Sequence, residues 1–137
     1  MKIVYPVIFT QTDTAVLVEV PDMNILTEGT DILDAIEMAR DAIGVKGITM
    51  EDMGEAFPPA SNLTQIDPGK GTFAEEGSGY VSLVDVDLSE YRRKVDNKMV
   101  RRNVTLPNWL NREADRAHVN VSGILRDALM EKLGIAK

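Results

Sequence analysis

Residues 98–137 carry one strand-like stretch and two helical patterns, too little to close a core alone. In VRRNVTLP (100–107), Val104 and Leu106 point one way, and Arg101, Asn103 and Thr105 point the other. Pro107 suits the first turn of a following helix, where Leu110, Ala114 and Ala117 form a stripe. VNVS (119–122) reads as a turn in which Asn120 takes positive φ and Ser122 caps a second helix. That helix puts Val121, Ile124, Leu125, Ala128, Leu129 and Leu133 on its buried side. The strand has no pairing partner in its own tail. The simplest repair is a second copy: two strands pair antiparallel across a two-fold axis, and four helices close around them.

A two-stranded ribbon fits the major groove of DNA. Its outward face carries Arg101, Asn103 and Thr105 from each chain. Arg reads guanine, Asn reads adenine, and Thr meets either base or a methyl group. Lys98 is placed for a phosphate contact, and the helix start at Ser122 offers backbone N–H groups to another. This arrangement resembles the ribbon-helix-helix DNA-binding domain, including the form found in several antitoxins. The residues that carry the resemblance are RRNVTLP, NWLNREADRAH and VNVSGILRDAL. Arg102, grouped here with the DNA-facing cations, departs from the family by standing at a usually apolar position. The structural alternative is a helical hairpin used only for dimerisation.

Charge divides the chain at the same place. Residues 1–90 hold 4 basic and 17 acidic residues, a net of −13. Residues 91–137 hold 11 basic and 5 acidic residues, a net of +6, and the two sum to the chain's −7. The plain reading is two solubilising surfaces of opposite sign; the functional reading is two modules with different partners. There is no cysteine, which excludes disulfides and thiolate metal sites and fits a reducing cytoplasm. The N-terminal MKIVYPVIFT lacks a signal peptide's apolar core, and no apolar run approaches the roughly 18 residues of a membrane span.

Within the acidic part, KIVYPVIFT (2–10) alternates Ile3, Tyr5, Val7 and Phe9 against Lys2, Val4, Pro6 and Ile8. It predicts a strand, with Pro6 marking an edge or a bulge. AVLVEV (15–20) gives a hairpin, and ILTEG (25–29) a short third strand. Ile32, Ile36, Ala39 and Ile43 then recur at helical spacing, with Thr30 as cap, Asp31 and Asp34 in the first turn and Gly44 as stop. Residues 52–79 read as loop, YVSLVDVDL (80–88) as strand, and SEYRRKVD as a short helix at the domain boundary. The resulting division is 1–90, a linker at 91–97, and 98–137.

YPVIFTQTDTAVLVEVPDMNILTEGTDILDAIEMARDAI resembles the HicB antitoxin family. The resemblance rests on YP-x-IF, a hairpin ending V-PD, then TEG-T-x-x-DA-x-x-x-A-x-x-AI. FPPAS (57–61) and DVDLSEY extend it. The chain departs at DMNIL, where many relatives have a Gly-Cys turn. The resemblance implies an α+β protein: a partial ribonuclease-H-like module, β-β-β-α-β, without catalysis or cofactor, followed by the ribbon-helix-helix. It also implies a HicA-type partner, a small basic toxin that cleaves messenger RNA, bound within residues 1–90 and possible in assemblies larger than a homodimer. An acidic module has the sign to steer such a partner.

Other chemistries fit less well. Asp85 and Asp87 share a strand face, with Asp13, Glu28 and Asp34 as conceivable neighbours for two-metal hydrolysis. Seventeen acids in 90 residues produce such pairs by chance, and Asp87 has a better role as a helix cap. DVDLSE starts like a calcium loop but has Glu90 where glycine is needed and Asp96 where glutamate is expected. DPGKGT lacks the order of a phosphate loop. His118, the single histidine, has no neighbour suited to a catalytic pair, and Trp109 is read as a packing aromatic. The competing class is a repressor whose N-terminal module binds a metabolite in an apolar pocket.

Overall fold

The computed structural model describes residues 1–135. The chain divides into two compact units, Met1–Lys98 and a second from Met99 onward.

The first unit is a four-stranded antiparallel sheet carrying a long helix. Strands β1 (Lys2–Gln11), β2 (Val16–Val20) and β3 (Ile25–Gly29) form a meander, followed by α1 (Ile32–Asp52). A long connection leads to β4 (Ser78–Asp87) and directly into α2 (Leu88–Val95). The sheet order is β3-β2-β1-β4, so β1 is central. Tyr5, Val7 and Phe9 of β1 share a buried core with Val16, Val18, Val20, Val84 and Val86. Ala35, Ala39 and Ile43 of α1 close it, and the small alanines let helix and sheet approach closely. Of the expected helical face, Ile36 is half-buried and Ile32 is exposed, because the stripe that meets the sheet is shifted to Ala35.

Pro6 marks neither an edge nor a bulge: its strand is central and pairs with β4 in unbroken register. The reason lies in the ladder's parity. Leu88 N donates to Met1 O, so odd residues of β1 exchange bonds with even residues of β4. The nitrogen of Pro6 points the other way, toward β2, whose pairing begins only at Ile8. No ladder bond is lost.

The second face of β1 is buried as well: Pro6, Ile8 and Thr10 are all covered. Part of that cover comes from the loop-rich segment, which is pinned by three side chains of the sheet region. Tyr5 OH donates to Pro58 O at 2.7 Å. Asp22 accepts from Ser61 N and Ser61 Oγ at 2.8 and 2.6 Å. Glu19 accepts from Thr72 N and Thr72 Oγ1 at 2.9 and 2.7 Å. Gly71 comes so near the sheet that a Cβ there would lie 3.1 Å from Ile8 Cδ1.

Gly44 is not the end of α1. The helix passes through it and stops at Gly54, whose φ of 69° needs no Cβ relief. Gly54 N donates to Glu51 O and Glu55 N to Met50 O, which satisfies the last carbonyls. The start is as expected in place but Asp31 is the cap, accepting from Asp34 N, while Asp34 accepts from Thr30 N. Residues 91–95, assigned to a linker from sequence, are the end of α2 and pack on α1. Arg92 pairs with Glu51 and Asp52 at 3.1 Å each.

The second unit contains α3 (Asn108–Arg116) and α4 (Val121–Leu133). Residues 96–107 form no helix or strand within the chain. Pro107 is the residue before α3 rather than in its first turn, and its carbonyl accepts from Asn111 N. Positive φ falls on His118 (53°), not on Asn120. His118 N donates to Asp115 O and Val119 N to Ala114 O, which closes α3. Asn120, at φ −81°, caps α4 by accepting from Gly123 N at 3.1 Å; Ser122 lies inside the helix.

Candidate functional site

In the second unit Arg101, Arg102, Asn103 and Thr105 are all exposed, and Lys98 at the end of the first unit is exposed too. No ladder hydrogen bond uses this segment, so nothing within the chain fixes which way its side chains alternate. Ser122 is exposed in the first turn of α4, beside backbone N–H groups that helix geometry leaves without intrahelical partners.

The apolar residues assigned from sequence to a buried side are not buried within one chain. Val104, Val121, Ile124, Leu129 and Leu133 are 54%, 45%, 57%, 48% and 68% exposed. Leu125 is half-buried, and Gly123 is the single fully buried residue among those described in this unit. Two helices and an extended segment have too few atoms to cover one another.

The first unit offers a different surface. Many of its acids have structural duties: Asp31 and Asp87 cap helices, and Asp22 and Glu19 pin the long loop. Asp87 accepts from Ser89 N and Glu90 N. The Glu90 amide is the main cause holding its carboxyl below the usual range, against a smaller cost of burial. Asp85 pairs with Arg40 at 3.2 Å. Among the described residues no group of carboxylates or histidine converges closely enough to hold a metal ion. Acids gather at both ends of β4. Asp13, Glu28 and Glu76 border one open concavity, and Glu37, Asp87 and Glu90 border another, with Lys2, Arg40 and Lys94. Both are lined by charged side chains, unlike an apolar metabolite pocket.

Tyr91 of α2 is tied to α1 by a 2.7 Å bond from its hydroxyl to Asp41 Oδ1. Burial first, and that bond and charge second, push its phenol up to about 12. The Tyr5 phenol is also raised, by burial and then by the charge of Asp22. The clamps at Tyr5, Asp22 and Ser61 were missed from sequence. The signal was present, since they belong to the YP, PD and FPPAS stretches that carry the family resemblance.

These features define a mixed α+β protein with a four-stranded antiparallel sheet and four helices. The profile of HicB-like antitoxins of bacterial toxin–antitoxin systems matches residues 5–134, and the chain belongs to that family. A toxin–antitoxin complex from Streptococcus pneumoniae is similar in fold, with a TM-score of 0.63 at 24% identity, over 96% of this chain and 99% of that one. The antitoxin HicB of Burkholderia pseudomallei has a TM-score of 0.52 at 28% identity, over 96% and 98% of the two chains. No curated protein sequence matches significantly. No helix among the described residues is long and apolar enough to cross a membrane.

Proposed function

We propose that this antitoxin binds and masks a HicA-type, messenger-RNA-cleaving toxin, and represses its own operon through a dimeric ribbon-helix-helix domain. The observation that carries the reading is the contrast between the two units. The first unit, Met1–Lys98, builds a folded surface of net charge −10, from 8 basic and 18 acidic residues. Among its described residues the second unit leaves an unpaired basic segment and eleven large apolar residues uncovered, which is what a strand and two helices leave until a second copy pairs with them. Complementary charge speeds encounter of the acidic unit with a basic toxin. The element order β-β-β-α-β supports a partial ribonuclease-H-like module for the first unit. Arg101, Asn103 and Thr105 of the second unit face base edges, while Arg102, the α4 start near Ser122 and Lys98, the last residue of the first unit, meet phosphates.

Separation of the two roles tests the proposal. Residues 1–98 alone should rescue cells that express the cognate toxin, more weakly than the full chain because dimeric avidity is lost. Arg101→Ala/Asn103→Ala in the full chain should rescue fully and lose operator binding. Ile36→Asp, which damages the packing of α1, should do the reverse. Protection by residues 99–137 alone, with none from 1–98, overturns the assignment.

A further inference from the structure

We infer that the free edge of β4 is a strand-addition site for a basic, extended segment of the partner protein. The inference rests on the toxin-binding reading of the first unit and specifies how that binding is made.

Two hydrogen bonds fix which backbone groups of β4 are free. Leu88 N donates to Met1 O, toward β1. Arg40 Nε donates at 3.3 Å to Asp85 O, which therefore points away from β1. Alternation then turns the N–H and C=O groups of Gly79, Val81 and Leu83 outward. Among the described residues no hydrogen bond uses them. Arg40 ends the open stretch by covering Asp85.

Natural sheets blunt an exposed edge with lysine, proline, a bulge or a very short strand. β4 runs ten residues in continuous register, without lysine, proline or a bulge; its own charges, Asp85 and Asp87, lie at its end, and Pro68 of the long loop packs beside Gly79 on one face. The opposite edge strand, β3, has five residues. Both faces beside the open stretch present apolar surface. Leu83 is 54% exposed on one face with Val4 near it, and Tyr80, stacked on Phe9, is 45% exposed on the other. An added strand would gain main-chain hydrogen bonds from the edge and side-chain contacts from Leu83 and Tyr80.

Charge selects the occupant. Glu75, Glu76, Asp13 and Glu28 lie toward one end of the strand; at the other, Glu37, Asp41, Asp85, Asp87 and Glu90 outnumber Lys2, Arg40 and Lys94. A second copy of β4, SGYVSLVDVD, would bring no basic residue to these carboxylates, so self-pairing would leave them unmet. A partner segment with alternating apolar residues and basic flanks meets apolar surface in the middle and carboxylates at both ends.

The experiment uses the full chain and its cognate HicA-type toxin, both purified. Val81→Pro removes an outward N–H and no bond to β1, and Leu83→Lys places a charge beside the open edge. Each should weaken binding by about tenfold or more while the circular dichroism stays that of the wild type. In the unsubstituted chain the amides of Val81 and Leu83 should exchange quickly when free and slowly in the complex. Wild-type affinity in both variants, or fast exchange of both amides in the complex, overturns the inference. So does an altered oligomeric state with intact partner binding, which would assign the edge to a second copy. If the wild-type chain itself fails to bind, the toxin reading falls first.

Discussion

The Tyr91 ring of α2 rests directly on Gly44 of α1: a Cβ at Gly44 would sit 2.6 Å from Tyr91 Cδ2. The glycine is kept for what lies above it, since an alanine would favour the helix by about 1 kcal/mol. Gly44→Ala should nonetheless destabilise the first unit by about 1–3 kcal/mol through overpacking. Tyr91→Ala in the same chain should remove most of that penalty. A double-mutant cycle on urea unfolding checks it, and additive effects would mean the contact is not made in solution.

The same tyrosine should give an alkaline signature. Its phenol is raised to about 12, so the neutral form is held by folding. The stability it adds is whole below the ordinary tyrosine value near 10 and is lost as pH rises through about 12. Tyrosinate absorbance should show a step near pH 12 that is absent in Tyr91→Phe. At the acid end Asp87 has the opposite sign: its support of α2 is present above the usual carboxylate value of about 3.9 and lost as pH falls through its lowered value.

Ser61→Ala removes the 2.6 Å bond to Asp22 that pins the long loop. A hydrogen bond to a charged group is worth about 1.5–3 kcal/mol, and the exposed part of this site puts the loss near the lower figure. Proteolysis within residues 53–77 should quicken, while the amides of β1 and β2 keep their exchange rates. Equal loosening of loop and sheet would show that the clamp is not local.

Arg101→Ala and Asn103→Ala should each cost about 1–3 kcal/mol of discrimination between operator and unrelated DNA. Lys98→Ala should weaken binding to all sequences and reduce the salt slope by about one unit. Operator shift assays at several salt concentrations separate the two. Unchanged discrimination in both base-facing variants would place the reading surface elsewhere.

His118 closes α3 at a φ of 53°, a conformation that costs a side-chain-bearing residue about 1–2 kcal/mol. Glycine relieves that strain and gives back about 0.5–1 kcal/mol in unfolded-chain entropy. His118→Gly should therefore stabilise the second unit by up to about 1 kcal/mol, read as a higher unfolding midpoint. A lower midpoint would mean the imidazole makes a compensating contact.

Local periodicity carried the elements. The alternation of Ile3, Tyr5, Val7 and Phe9 chose the core face of β1, the hairpin and third strand followed, and the carboxylates at Asp31, Asp34 and Asp87 marked helix starts. These are decided within a few residues, by side-chain parity and by the orphan N–H groups of a first turn. What lay beyond that range was decided by tertiary contact. Gly44 looks like a stop until Tyr91 needs its space, and Gly54 ends the helix instead. Pro6 looks like an edge until the ladder shows that its missing N–H faces no partner. The long loop looks unstructured until Tyr5, Asp22 and Glu19 reach it across 53, 39 and 53 residues. The open edge at Gly79, Val81 and Leu83 is a property of strand order, and no local pattern encodes which strand ends a sheet.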